Sequence, residues 1–175
     1  YPAGGQIHNF SRGGTQSLNG EASNKSLSFR VDAALAATSS TFPPAPFPGL
    51  GPGAMDGVIV QIDTNDILLD LDLDASFADK VAQIDRLIDD GVKNIALGNA
   101  PRQYDPSGGG SQTRQTQTEY INGLTATLDG YRGVVTTYDI YTGWIPSYSE
   151  ADGYHPSLLG QAFWAAQAGA ALVLT

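Results

Sequence analysis

Asp152 and His155 are the residues whose types and spacing point most directly to chemistry. They stand three apart in Asp152-Gly153-Tyr154-His155-Pro156, a turn sequence. A carboxylate placed there accepts a hydrogen bond from one imidazole nitrogen and leaves the other free to take a proton from a nucleophile. The plainer reading makes Asp152 a turn residue and His155 a satisfied surface histidine, and a lone Asp-x-x-His does not separate the two. Asn65, at the mouth of an apolar run, offers a side-chain N–H or closes an Asx-turn. Gly13 and Gly14 allow positive φ and a backbone N–H turned into a site, or make a plain tight turn. A base, its orienting carboxylate and two N–H donors are the parts of an acyl-transfer site that still needs a serine.

These residues act together only if the elements between them bring their loops to one place. Gln6 to Phe10 reads as a short strand running into the Gly13-Gly14 turn. Ser26 to Ala37 reads as an amphipathic helix. Ser39 to Gly53 is a Pro/Gly-rich surface loop. Gly57 to Ile62 is nearly all apolar, as a central parallel strand buried on both faces should be, and it ends in Asp63-Thr64-Asn65-Asp66. Asp74 is placed to cap a helix over about 75–90, with Phe77, Val81, Ile84, Leu87 and Ile88 on one face and Gly91 as its stop. Asn94 to Leu97 is the next strand, followed by a turn-rich loop through Gly108-Gly109-Gly110. A helix over about 112–128 should bury Tyr120, Ile121, Leu124 and Leu128. Val134 to Tyr138 is a further strand, and the last helix runs over about 157–174, with Pro156 suited to its first turn. Alternating strands and helices predict a parallel sheet covered on both faces. Ligands of such sheets bind beyond the carboxyl ends of the strands, where all three loops should gather.

The 175 residues suggest one domain with room for a sizeable core. A formal net charge of −9, with only nine Lys plus Arg, argues against nucleic acid and anionic membrane surfaces as partners. Without cysteine there is no disulfide, thiolate nucleophile or Cys-ligated zinc, and two histidines argue against a His-rich metal site. No cofactor is expected. No transmembrane segment and no cleavable signal peptide is visible. The opening at Tyr1-Pro2, without Met, suggests a processed or incomplete product. Few lysines among many Gly, Ser, Thr and Gln suggest a secreted protein. Asn9-Phe10-Ser11 and Asn24-Lys25-Ser26 match the glycosylation acceptor pattern, which matters only in a eukaryotic source.

Three stretches resemble the SGNH (GDSL) hydrolases. Asn9-Phe10-Ser11-Arg12-Gly13-Gly14-Thr15 is similar to the family's second block, Val60 to Asp66 to its third, G-x-N-D, and Asp152 to Ser157 to its fifth, D-x-x-H-P. Asp90 to Pro101 also looks like the family's helix-to-strand passage. The blocks occur in the right order, and the resemblance covers nearly the whole chain. It implies a flavodoxin-like three-layer α/β/α sandwich with a central parallel sheet. It implies hydrolysis of a small-molecule, glycan or lipid ester through a serine acyl-enzyme, as in carboxylesterases, lipases and acetylesterases. Asp152 would orient His155, the general base. The Gly14 N–H (or that of Gly13, since the doublet leaves the register open) and the Asn65 side chain would form the oxyanion hole. Asp66 would be a structural acceptor.

Two departures stand out. Asp63 occupies the family's Gly position, and a charged side chain there would perturb the loop or disfavour an oxyanion. The G-D-S block with its serine is not found, so the first strand of the sheet is expected to be absent as well. Asp74-Ala75-Ser76 resembles that block but falls at a helix start, and Ser11 lies beyond the strand–helix unit that should carry the nucleophile. Three explanations compete: a serine segment upstream of Tyr1, or on a separate peptide that also supplies the first strand; a pseudoenzyme that binds an ester or carbohydrate; or an unrecognised nucleophile. Asp70, Asp72 and Asp74 alternate with leucines and read as a solvated loop rather than a calcium site. Tyr138, Tyr141, Trp144, Tyr148 and Tyr154 either line a pocket or pack, and Asp139 reads as structural.

Overall fold

The computed structural model describes residues 26–35, 55–103 and 111–172. The Gln6 to Phe10 strand, Ser11, the Gly13-Gly14 turn, the Pro/Gly-rich loop and the Gly108 to Gly110 loop all lie outside them. In chain order the elements are α1 (Leu27–Leu35), β1 (Gly57–Gln61), α2 (Thr64–Leu68), α3 (Leu73–Asp89), β2 (Asn94–Gly98), α4 (Ser111–Ala126), β3 (Val135–Tyr138) and α5 (Leu158–Ala171). The strands pair in the order β1-β2-β3, all parallel, with Val58 beside Ile95 and Ile95 beside Val135.

Side chains alternate across a strand, so this register sorts them into two layers. Val60, Ile95, Leu97 and Val135 face α1 and α3, where Leu27, Val31, Ile84 and Leu87 complete one core. Ala96 and Tyr138 face the other way, onto Ile140, Trp144 and Ala168 beneath α5. Helices on both faces make a three-layer α/β/α sandwich, as expected. A smaller cluster of Ile67, Ala100 and Ile121 packs α2 and α4 together at the carboxyl edge of the sheet.

Four local expectations need correction. β1 is not buried on both faces: Ile59 is 48% exposed, and among the described residues the fully covered strand is β2, where Ala96 and Leu97 are 0% exposed. Asp72, not Asp74, caps α3, accepting from the backbone N–H groups of Asp74 and Ala75 at 3.1 Å. That brings Leu73 into the first turn, against the Ile67 cluster. Tyr120 is 49% exposed, because residues next to each other on a helix point about 100° apart and Ile121 takes the inward position. Pro156 precedes α5 rather than opening it; Ser157 is the cap, its Oγ accepting from Gly160 N.

Gly98 closes the carboxyl end of β2 between two side chains from its neighbours. Tyr138 Oη donates to Gln61 Oε1 at 3.1 Å across it, and Gln61 Nε2 donates to the Asn99 carbonyl at 2.8 Å. A Cβ on Gly98 would lie 1.8 Å from Gln61 Oε1 and 2.5 Å from the Tyr138 hydroxyl. Gly98→Ala should therefore lower the unfolding free energy by about 1–3 kcal/mol in urea melts, with the m-value unchanged. A loss under about 0.5 kcal/mol, the range of inert substitutions, would mean that Gln61 and Tyr138 swing aside freely.

Candidate active site

The Asp152–His155 turn follows β3 and leads into α5, so it lies at the carboxyl edge of the parallel sheet. Its backbone closes on itself. Glu150 N–H donates to the His155 carbonyl at 2.7 Å, and Gly153 N–H to Glu150 at 2.9 Å. Ser149 and Pro156 form an antiparallel bridge, and Ser157 N–H donates to the Tyr148 carbonyl at 2.8 Å. Gly153 sits at φ 77°, where a side chain would be strained. Gly160 brings α5 so close that a Cβ there would stand 2.1 Å from the Tyr148 carbonyl oxygen.

Within this turn Asp152 Oδ1 accepts the backbone N–H groups of Tyr154 and His155 at 2.9 and 3.0 Å, and Oδ2 meets His155 Nδ1 at 2.6 Å. The bond from the His155 ring, helped by the two backbone N–H groups, holds the Asp152 carboxyl down at about 2. An ionised Asp152 can only accept, so Nδ1 carries the hydrogen, and in the neutral ring Nε2 has its lone pair free. The His155 side chain is 79% exposed, and among the described residues nothing bonds to Nε2. An ion pair this open to water contributes little by itself; the backbone bonds set its geometry. Tyr154 ties the turn to α4: its hydroxyl accepts from Arg114, whose guanidinium lies 5.3 Å from the ring centroid.

Asn65 is half-buried in the first turn of α2, at the carboxyl end of β1 and thus on the same sheet edge. The aspartates on either side of the Thr64-Asn65 pair are buried. Asp66 accepts from Ser76 Oγ at 3.1 Å, the structural part expected of it. Asp63 sits at φ 91°, a conformation costing a non-glycine residue on the order of 1–3 kcal/mol. Its Oδ2 receives Lys80 Nζ at 2.7 Å, and Lys80 donates also to Thr125 Oγ1 at 3.0 Å; both charged side chains are fully buried. Burial pushes the Asp63 carboxyl up, and Lys80 pulls it back down. The expected charge beside Asn65 is thus neutralised within the protein.

The structure brings Asp152 and His155 into direct contact and sets Asn65 on the same edge; Gly14 lies outside the described residues. Sequence reasoning missed Lys80 and Ser76. The signal was available: Ser76, Lys80, Ile84 and Leu87 recur at helical spacing, which puts a lysine on the apolar face of α3. The three loop aspartates each have work: Asp72 caps α3, Asp70 accepts from Gln117 at 2.6 Å, and Asp74 accepts from the Tyr120 hydroxyl. Asp139 bonds Asn99 Nδ2 at 2.7 Å, while Asn99 Oδ1 accepts from Ile140 N–H at 2.8 Å, tying the ends of β2 and β3. Trp144, Tyr148 and Phe163 pack on one another beneath the turn, and Tyr138, its hydroxyl pushed up to about 12 by burial, receives Trp164 Nε1 at 3.0 Å.

Because the Asp152 value is lowered, the pair's contribution is complete above the ordinary 3.8 and is lost as pH falls through about 2. A carboxyl-carbon NMR titration should place Asp152 near that lower value. In His155→Ala the midpoint should rise toward the ordinary one; an unmoved midpoint would show that the backbone bonds alone lower it.

No protein-family model matches the chain, and no curated protein matches it. Among solved structures, the chain is similar to a crystal structure of an acetyl esterase, a serine-to-alanine mutant with an acetate ion. The TM-score is 0.52 at 18% identity, over 66% of this chain and 56% of that one. The chain thus spans a little over half of that esterase's length, and the likeness establishes the shared α/β/α fold.

Proposed function

We propose that this protein is an ester hydrolase of the SGNH type, with His155 as general base, Asp152 as its orienting carboxylate, and Asn65 and Gly14 as oxyanion donors. The observation that carries the reading is the 2.6 Å contact between Asp152 Oδ2 and His155 Nδ1, with Asp152 ionised and Nε2 unbonded among the described residues. The fold shared with an acetyl esterase and the seat of Asn65 on the same sheet edge support it.

In this reaction Nε2 takes the proton of a serine hydroxyl as the oxygen attacks the ester carbonyl. The new negative charge falls on the carbonyl oxygen, where the Asn65 amide and the Gly14 N–H donate to it. The imidazolium then returns the proton to the departing alcohol oxygen. Water, deprotonated by the same nitrogen, releases the acid from the acyl-enzyme. Asp152 stays ionised throughout and stabilises the imidazolium. The chemistry needs no metal or organic cofactor, and the substrate is an ester of a small alcohol, a glycan or a lipid. The serine itself is unassigned.

The test is hydrolysis of p-nitrophenyl acetate by the full natural protein, with a fluorophosphonate probe and peptide mapping to identify the serine. His155→Ala should lower kcat/KM by at least about a thousandfold. Asn65→Ala should lower kcat by about 100- to 1,000-fold with little change in KM. Hydrolysis that survives His155→Ala would sink the assignment. Tight binding of an ester without turnover or labelling would make the protein a non-catalytic pocket protein instead.

A further inference from the structure

We propose that the buried Asp63–Lys80 ion pair is a positioning device for Asn65, replacing the backbone freedom of a glycine with a tether from α3. The inference rests on Asn65 being an oxyanion donor, as proposed above.

Asp63 has φ 91° and ψ −33°, a backbone state that glycine adopts readily and other residues avoid. Left alone, a side chain there would favour relaxation of the loop, and Asn65, two residues on, would move with it. The five residues of α2 are too few to hold their own conformation. The holding must come from outside. Lys80 Nζ grips Asp63 Oδ2 at 2.7 Å and is itself anchored to Thr125 Oγ1 at 3.0 Å on α4. One helical turn earlier, Ser76 Oγ grips Asp66 Oδ1 at 3.1 Å. Two side chains on one face of α3 thereby clamp the residues on both sides of Thr64 and Asn65.

The charge balance points the same way. A bare carboxylate two residues from an oxyanion donor would oppose the charge that develops in the transition state. The ammonium at 2.7 Å cancels it without contact with solvent, since both side chains are fully buried. Among the described residues Asp63 Oδ1 has no hydrogen-bond partner, and Lys80 is the one that holds this carboxylate. Asp63 and Lys80 are thus positioning residues that act through Asn65.

Two double variants test this, and neither leaves one member of the buried pair without its partner charge. Asp63→Gly/Lys80→Met removes the tether along with the need for it. Asp63→Ala/Lys80→Met removes the tether and keeps a Cβ at the strained position. The alanine variant should have a kcat for p-nitrophenyl acetate at least about tenfold below both the unmodified protein and the glycine variant, with KM unchanged, because Asn65 acts on the transition state. The Asn65 side-chain amide signals in nitrogen–proton NMR should be shifted or broadened in the alanine variant and close to native in the glycine variant. Matching kcat values and matching Asn65 signals in the two variants would overturn the proposal. If the unmodified protein hydrolyses no ester, the ester-hydrolase reading fails by itself, and the NMR comparison still decides whether the pair positions Asn65.

Discussion

The contact between Asp63 and Lys80 is the constraint on which the carboxyl edge of this fold depends. Taking two charges out of water is expensive, and their attraction compensates only while they stay in contact. Once both are enclosed, the elements carrying them lose the freedom to slide. Here those elements are the end of β1 and the middle of α3, with α4 added through Thr125. The apolar clusters on either side would tolerate small shifts. A charge pair at 2.7 Å with no solvent beside it tolerates almost none.

The two halves of the candidate site are therefore held by opposite means. On the β1 side, buried tethers reaching in from a helix immobilise a short segment. On the β3 side, the Asp152–His155 turn is exposed and draws its shape from its own backbone bonds, a glycine at positive φ and the close seat of α5. Water screens the carboxylate–imidazole attraction, so that attraction does not shape the turn; the turn presents the attraction in a usable geometry. His155 is left solvated, and the loop that carries Asn65 is fixed from within.

Local patterns carried much of this into the sequence. The strands and long helices were legible because short apolar runs sit between turn residues and amphipathic stretches. The His155 turn was legible because its partner stands three residues away. Lys80 was not, since its partner lies across space in another element and a lysine on a helix reads first as a surface residue. The substitution of Asp63 for a glycine announced a problem without showing its solution. The exposure of Ile59 is not legible, because a continuous apolar run does not say which of its faces is covered. The exposure of Tyr120 is not legible either, because it and Ile121 are both apolar neighbours on α4 and the inward face has room for one of them. Asp72 and Asp74 are both capable caps, and packing of Leu73 decides between them.

The crowding at Gly98 has a consequence for how such a protein can change over time. Gln61, Gly98 and Tyr138 come from three adjacent strands and share one small volume. A larger residue in the middle is admissible only if a neighbour shrinks or gives up its bond in the same lineage. The three positions should drift as a correlated set, with the central one silent until a flanking one moves. Since this triplet lies at the carboxyl ends of three parallel strands, neutral drift there would also shift the loops that follow them.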